Sequence, residues 1–259
     1  MSIAPFPHSA PRRLIVGDVH GHYDALLKLF DVMAPTAQDA VYFVGDLIDR
    51  GPESARVVDF VMQNKYHCIL GNHEQMMLEA LKGGALSSQL LQAWLYSGGQ
   101  ATLQSYNYQI PQEHVVWMQN LPLYLDLGNI WLVHAGLDPQ LPLEDQSQEQ
   151  FCWIRDKFHQ SRYPYFAEKL IIIGHTITFT FPQVEPGKLV SGVGWLGIDT
   201  GAYHPRSGWL TAVDVNHNWV YQIHRNSLAV RCLPLEEIVV FLDPLLLAGR
   251  QRRPKRLGI

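Results

Sequence analysis

Several things are scarce in this chain. Its three cysteines, Cys68, Cys152 and Cys232, are widely spaced, odd in number and form no Cys-x-x-Cys pair. They cannot all pair within the chain, which argues against a disulfide framework and suits a reducing compartment. Positive charge is in deficit, with 20 Lys plus Arg against 24 Asp plus Glu, so binding nucleic acid mainly through charge is disfavoured. No apolar run reaches the roughly 18 residues needed to span a bilayer. The first sixteen residues carry Pro5, Pro7, Pro11, Arg12 and Arg13 in place of a signal-peptide core. Solenoid repeats and low-complexity tracts are missing too. The expectation is a soluble cytoplasmic protein with neither nucleic acid nor membrane as partner; its oligomeric state is not legible.

What is present is a globular composition, 47% apolar and 17% charged over 259 residues, which excludes disorder and allows a sizeable core. One short unit recurs: an apolar run, a glycine, then a residue able to bind metal. It reads Leu14-Ile-Val-Gly-Asp18, Val41-Tyr-Phe-Val-Gly-Asp46, Cys68-Ile-Leu-Gly-Asn72 and Leu170-Ile-Ile-Ile-Gly-His175, with Ile130-Trp-Leu-Val-His134 as a variant whose glycine, Gly136, follows. Runs of this kind predict buried strands, and the glycine lets the chain turn where each strand ends. The polar residues therefore fall at carboxyl ends of strands, the edge where open α/β sheets bind ligands.

Between these units the spacing predicts helices. One runs from Asp24 to Met33, with Leu26, Leu27, Phe30 and Met33 on one face. A second spans Ser54 to Gln63 with Val57, Val58 and Val61, and a third spans Gln75 to Leu81, stopped by Gly83-Gly84. The class is α/β, opening as βαβαβα with parallel strands and right-handed crossovers. Residues 1–11 read as a tail and 12–231 as the domain. Within it, 85–125 is a mostly helical insertion that is either a cap over the site or a structural addition. Trp209 to Val215 and Trp219 to His224 read as a hairpin. The segment 232–259 ends in a basic stretch, Arg250 to Arg256, read as a solvated tail.

In order, the strand ends and nearby loops offer Asp18, His20, Asp46, Asp49, Arg50, Asn72, His73, His134, Arg155 and His175. Carboxylate and amide oxygens mixed with imidazoles suit Mn-, Fe-, Zn- or Mg-class ions. The set is too large for one four-coordinate ion and suits two ions sharing a carboxylate, with Asp46 of the middle strand as the natural bridge. Such a pair lowers the pKa of a shared water from 15.7 towards roughly 7 and neutralises phosphoryl oxygens. Arg50 is placed to fork onto phosphate, His73 to protonate a departing oxygen, and Asp49 to hold that imidazole. Together these parts point to metal-assisted phosphoester hydrolysis.

Gly17-Asp-Val-His-Gly21, Gly45-Asp-Leu-Ile-Asp-Arg-Gly51 and Gly71-Asn-His-Glu74 resemble the signature of the calcineurin-like metallophosphoesterases, closest to their phosphoprotein phosphatase branch. Gly71 to Met77 resembles the small bacterial and phage enzymes of that branch, the phage lambda phosphatase among them. Val133-His-Ala-Gly136, Gly174-His-Thr176 and Ile198-Asp-Thr-Gly-Ala202 are similar to the same group. The resemblance covers roughly residues 12–215 and implies a central β-sandwich of two mixed sheets flanked by helices, which periodicity alone cannot tell from a doubly wound sheet. It implies two divalent ions, Mn foremost, with Fe, Zn or Ni as alternatives. Asp18, His20 and Asp46 would hold one, and Asp46, Asn72, His134 and His175 the other. Arg50 and Arg155 would bind phosphate, with His73 as acid and Asp49 as its partner. The family's eukaryotic members carry a longer carboxyl-terminal segment than this chain, so their regulation does not transfer.

The bland readings are a helix cap for a lone Asp, a satisfied core residue for a lone buried His, and a surface ion pair for Arg155. The implied activity is hydrolysis of phosphomonoesters, on phosphoserine or phosphothreonine of proteins, on phosphotyrosine, or on a small phosphoester. The alternative is a symmetrical dinucleoside tetraphosphate hydrolase, a sister group that lacks the aspartate found here at position 49 and tends to end the third motif in Asp. Asp49 and Glu74 favour the monoesterase. A catalytically inert metal-binding scaffold would be expected to lose Asp49, Arg50 or His73, all of which are kept.

Overall fold

The computed structural model describes residues 11–82 and 89–248. The tail at 1–10, the Gly83-Gly84 stop, residues 85–88 of the insertion and the basic stretch from 249 onward lie outside these.

Three strands, β1 (Arg13–Val16), β2 (Ala40–Phe43) and β3 (His67–Cys68), run parallel, with Leu14 opposite Val41 and Phe43 opposite Cys68. Helices α1 (Tyr23–Met33) and α2 (Ser54–Gln63) form the crossovers. The predicted stripe on α1 holds at Leu26, Phe30 and Met33 and fails at Leu27, whose place Leu29 takes. Leu26, Leu29, Phe30 and Met33 are buried, but Leu27 is 39% exposed, because a residue one step along a helix is turned by about 100° from its neighbour. Val57, Val58 and Val61 of α2 are buried as expected. Helix α3 (Asn72–Lys82) starts three residues earlier than the spacing suggests, placing Asn72 and His73 in its first turn.

Three further strands, β4 (Tyr124–Asp126), β5 (Ile130–Val133) and β6 (Leu170–Ile173), precede β7 (Leu189–Gly192) and β8 (Trp195–Gly197). The chain then returns to the first sheet through β9 (Trp209–Asp214), β10 (Trp219–His224) and β11 (Val230–Pro234), and ends the second with β12 (Val239–Phe241). Strand orders are β11-β10-β9-β1-β2-β3 and β12-β7-β8-β6-β5-β4. In the first, β9 lies antiparallel to β1; in the second, β5, β6 and β8 are parallel to one another. The predicted hairpin is β9–β10, paired Trp219 to Asp214.

The fold is thus the sandwich of two mixed sheets, not a doubly wound sheet. Ile15, Tyr42 and Val213 of one sheet pack with Ile130, Leu132, Ile172 and Leu196 of the other. Leu14, Val16 and Phe43 point the opposite way, into the core that includes α1 and α2. Strands buried on both faces explain the unbroken apolar runs, since alternation disappears when neither side meets water. Each fully buried Leu, Ile or Val contributes about 1.5–3 kcal/mol to this packing.

Helices α4 (Gln89–Trp94), α5 (Gln100–Ser105) and α6 (Gln112–Gln119) follow α3, with a kinked turn, Leu95–Gly99, joining the first two, where Gly98 leaves helical geometry at φ 117°. They pack on α2 and α3. Among the described residues no helix is long and apolar enough to cross a membrane.

Candidate active site

Two parallel trios, β1-β2-β3 and β5-β6-β8, bring their carboxyl ends to one end of the sandwich. The first releases Asp18, Asp46 and Asn72; the second releases His134, His175 and Asp199. The loops are stitched together by backbone bonds. Val19 and His20 donate to the Asp46 carbonyl at 3.1 and 2.9 Å, and the His175 N–H donates to Asp18 Oδ2 at 3.0 Å. Asp46 itself lies in the left-handed region at φ 51°. Gly45 and Gly71 permit that turn, because a Cβ on Gly45 would stand 2.6 Å from the Gly71 nitrogen.

The predicted metal ligands converge. Asp46 belongs to two buried clusters, one with His20 and His73 and one with Asp18 and His134. His134 Nε2 lies 3.3 Å from Asp46 Oδ1 and 2.9 Å from Asn72 Oδ1, and His175 Nδ1 lies 2.8 Å from the same Asn72 oxygen. His20 Nε2 is 3.6 Å from Asp46 Oδ2. The other ring nitrogens meet carbonyls: His20 Nδ1 donates to Ile48 O at 2.8 Å and His134 Nδ1 to Val44 O at 2.7 Å. Those bonds turn the Nε2 lone pairs inward, the orientation that imidazole ligands need.

The electrostatics favour cations here. Burial, with Asp199 and Asp46 nearby, raises the Asp18 carboxyl well above its ordinary range. Burial also pushes Asp199 up to about 6, with Asp46 adding to the rise. Burial opposes protonation of His134, but Asp46 and Asp18 carry its imidazole up to about 9. Asp18 Oδ1 is buried and accepts no hydrogen bond. Three carboxylates away from water, one oxygen without a donor, form a site that divalent cations would complete.

Beside this cluster His73 Nδ1 donates to Asp49 Oδ2 at 2.6 Å. Arg50 Nη2 donates to His73 Nε2 at 2.9 Å, and its guanidinium lies 3.9 Å over the Tyr203 ring. Arg155, on the loop between β5 and β6, donates through Nη1 to Thr176 Oγ1 at 2.8 Å and to His175 O at 3.4 Å.

Sequence reasoning missed the groups that hold these in place. The Glu74 carboxylate accepts from the backbone nitrogens of Asp46, Leu47 and Gly71 at 2.8, 2.8 and 3.1 Å, joining the second motif to the third. Burial and then Asp46 push its pKa up to about 7. Its place at the end of Gly-Asn-His-Glu was a signal of the motif but not of this task. Trp94 and Thr102, from the helical insertion, both bond the Asp49 carboxylate. The Gly98-Gly99 pair between them was the available hint of a tight approach. Tyr203 gave no signal at all.

Comparison with known proteins agrees with this geometry. The calcineurin-like phosphoesterase pattern matches residues 11–203. Serine/threonine-protein phosphatase 2 of Escherichia coli is 28% identical over 206 residues, 76% of this chain and 89% of that one. A symmetrical bis(5'-nucleosyl)-tetraphosphatase of Dechloromonas aromatica is 33% identical over 130 residues, 48% of this chain and 44% of that enzyme, so the match spans less than half its length. Among solved structures, a protein serine/threonine phosphatase from Saccharomyces cerevisiae superposes with a TM-score of 0.58 at 18% identity, covering 86% of this chain and 80% of that one, a likeness of fold. With the pattern matched over most of its length and the motif residues gathered at one end of the sandwich, the chain belongs to the calcineurin-like metallophosphoesterases.

Proposed function

We propose that this protein is a metal-dependent phosphatase acting on phosphomonoesters, with phosphoserine and phosphothreonine of proteins as its first substrate class and phosphotyrosine as its second. One observation carries the reading: His73, bonded to Asp49, stands with Arg50 at the rim of the Asp46-centred cluster. The family implies divalent metal ions. In this reading Asp18, His20 and Asp46 hold one, and Asp46, Asn72, His134 and His175 hold the other, with Mn ahead of Fe, Zn or Ni. When bound, such ions supply Lewis acidity, making water nucleophilic near neutral pH and countering phosphoryl charge.

The chain's own groups do the rest. Arg50 and Arg155 bind phosphoryl oxygens through charge-assisted hydrogen bonds. Arg50 and His73 already meet at one point, so a phosphoryl group that draws the guanidinium onto its oxygens frees Nε2 to take a proton from solvent, and the imidazolium so formed gives that proton to the departing oxygen. Asp49 fixes the ring by accepting from Nδ1 and stabilises the imidazolium.

The second reading is symmetrical cleavage of dinucleoside tetraphosphates, favoured by the likeness to the symmetrical bis(5'-nucleosyl)-tetraphosphatase of Dechloromonas aromatica. A side-by-side assay of phosphopeptides, an aryl phosphate and diadenosine tetraphosphate, with chelated and remetallated protein, separates the two. Metal-dependent turnover of monoesters in preference to the tetraphosphate is expected. The reverse preference would replace the first reading by the second.

A further inference from the structure

We infer that the helical insertion is the positioning element of the acid pair, and that Thr102 and Trp94 are the residues through which it acts. The inference rests on the assignment of His73 as general acid. Asp49 accepts from three donors at once. His73 Nδ1 lies at 2.6 Å, Thr102 Oγ1 at 2.6 Å from Oδ1, and the Trp94 indole nitrogen at 3.1 and 3.0 Å from the two oxygens. Asp49, Thr102 and Trp94 are all fully buried. The Thr102 hydroxyl has one proton and spends it on the carboxylate. Its lone pairs take the Asp49 N–H at 2.8 Å and the Ser54 hydroxyl at 3.0 Å.

The insertion also holds the backbone that carries the pair. Asp49 and Arg50 are consecutive residues in the left-handed region, at φ 73° and 69°. For side chains with a Cβ this conformation is strained and persists only where the surroundings hold it. The Arg50 N–H donates to Gly98 O at 3.1 Å and its Nε to Ser97 O at 3.3 Å, both on the kinked turn between α4 and α5. A carboxylate fixed on both oxygens from behind turns the His73 ring in one direction only. Without the Thr102 and Trp94 donors, Asp49 rotates and the imidazole loses its aim, while the clustered ligands around Asp46 stay as they are.

Leaving groups of different basicity read this out. A 2,4-dinitrophenyl ester departs without a proton, whereas a phenyl ester needs one. Thr102→Val, nearly isosteric, is expected to lower kcat/KM on phenyl phosphate about 10-fold, the worth of one hydrogen bond to a charged group. It should change the activated ester less than 2-fold, with metal content unchanged, and Thr102→Ser should restore the lost rate. Trp94→Phe keeps the ring packed on Gly99 and should repeat the pattern, which guards against a folding defect in either variant. Equal losses on both esters, or none on either, would overturn the inference. His73→Asn is the control. If it discriminates between the esters and the Thr102 and Trp94 variants do not, the positioning role fails alone; if it treats both alike, the acid assignment fails and takes this inference with it.

Discussion

The two parallel trios do the same geometric job with different chemistry. The first ends in carboxylates and an amide, and helices α1, α2 and α3 follow its strands closely. The second ends in two imidazoles and Asp199, and its loops are longer and carry only short helices. The first trio therefore packs its functional residues into compact motifs: His20 is two residues after Asp18, and Asp49 and Arg50 follow Asp46 within one turn. The second scatters them, with Arg155 between His134 and His175, each of these histidines in a short segment of its own about 40 residues from the other. Asp46 sits where the trios meet. One side of the site is coded locally and the other is assembled by the sandwich.

Metal occupancy gives the largest test of this division. Chelation should abolish turnover and remetallation restore it. Asp46→Ala, which removes the carboxylate common to both clusters, should lower activity by more than about 10⁴-fold, beyond the range of acid catalysis alone. His20→Ala from the first trio and His175→Ala from the second should each cost one bound ion of two, counted by atomic emission. Loss of both ions from either would break the picture of two ion sites joined at Asp46.

The chemistry beside the ions comes next. His73→Asn should reduce kcat on an unactivated monoester by about 10²–10⁴, and steady-state rates on phenyl phosphate check it. Smaller effects separate the arginines. Hydrogen bonds to charged groups contribute about 1.5–3 kcal/mol, so Arg155→Ala should raise KM roughly 10-fold or more with kcat little changed. Arg50→Ala should lower kcat as well, because its guanidinium also touches His73. Identical kinetic signatures would erase the distinction between the two arginines.

The smallest expected effect concerns stability. Glu74→Gln replaces a carboxylate that accepts backbone N–H groups from two motifs, and should cost about 1–3 kcal/mol in the metal-free protein. Asp199 accepts one backbone N–H, from Gly201 at 2.9 Å. Asp199→Asn should therefore cost less. Thermal melts of both variants after chelation decide the order.

These contrasts explain what was readable in advance. The apolar-run, glycine, polar-residue unit marked five strand ends because strands buried on both faces must be continuously apolar and must turn sharply to free a side chain. The sixth, at Gly197-Ile-Asp199, breaks the unit, because only Trp195 and Leu196 precede the glycine and Ile198 separates it from the aspartate; it was visible only through the family resemblance of the segment Ile198 to Ala202. Leu27 was misplaced because a ten-residue window tolerates a neighbouring row. Glu74, Trp94 and Thr102 escaped as working residues because each acts through a partner far along the chain: Thr102 meets a carboxylate 53 residues upstream, and the intervening spacing carries no periodicity.

Local sequence by itself determined the class of chemistry: hard oxygen and imidazole donors, an arginine beside a histidine–aspartate pair, and strands that end where those side chains emerge. Side-chain type and short spacing suffice for that, because ligand affinity and turn geometry are properties of a few adjacent residues. Only the tertiary structure decided that β9 would lie antiparallel to β1, that two sheets would face each other, and that His134 and His175 would meet Asn72 across 62 and 103 residues. Those pairings depend on burying apolar faces from both halves of the chain together, and that is a property of the whole core.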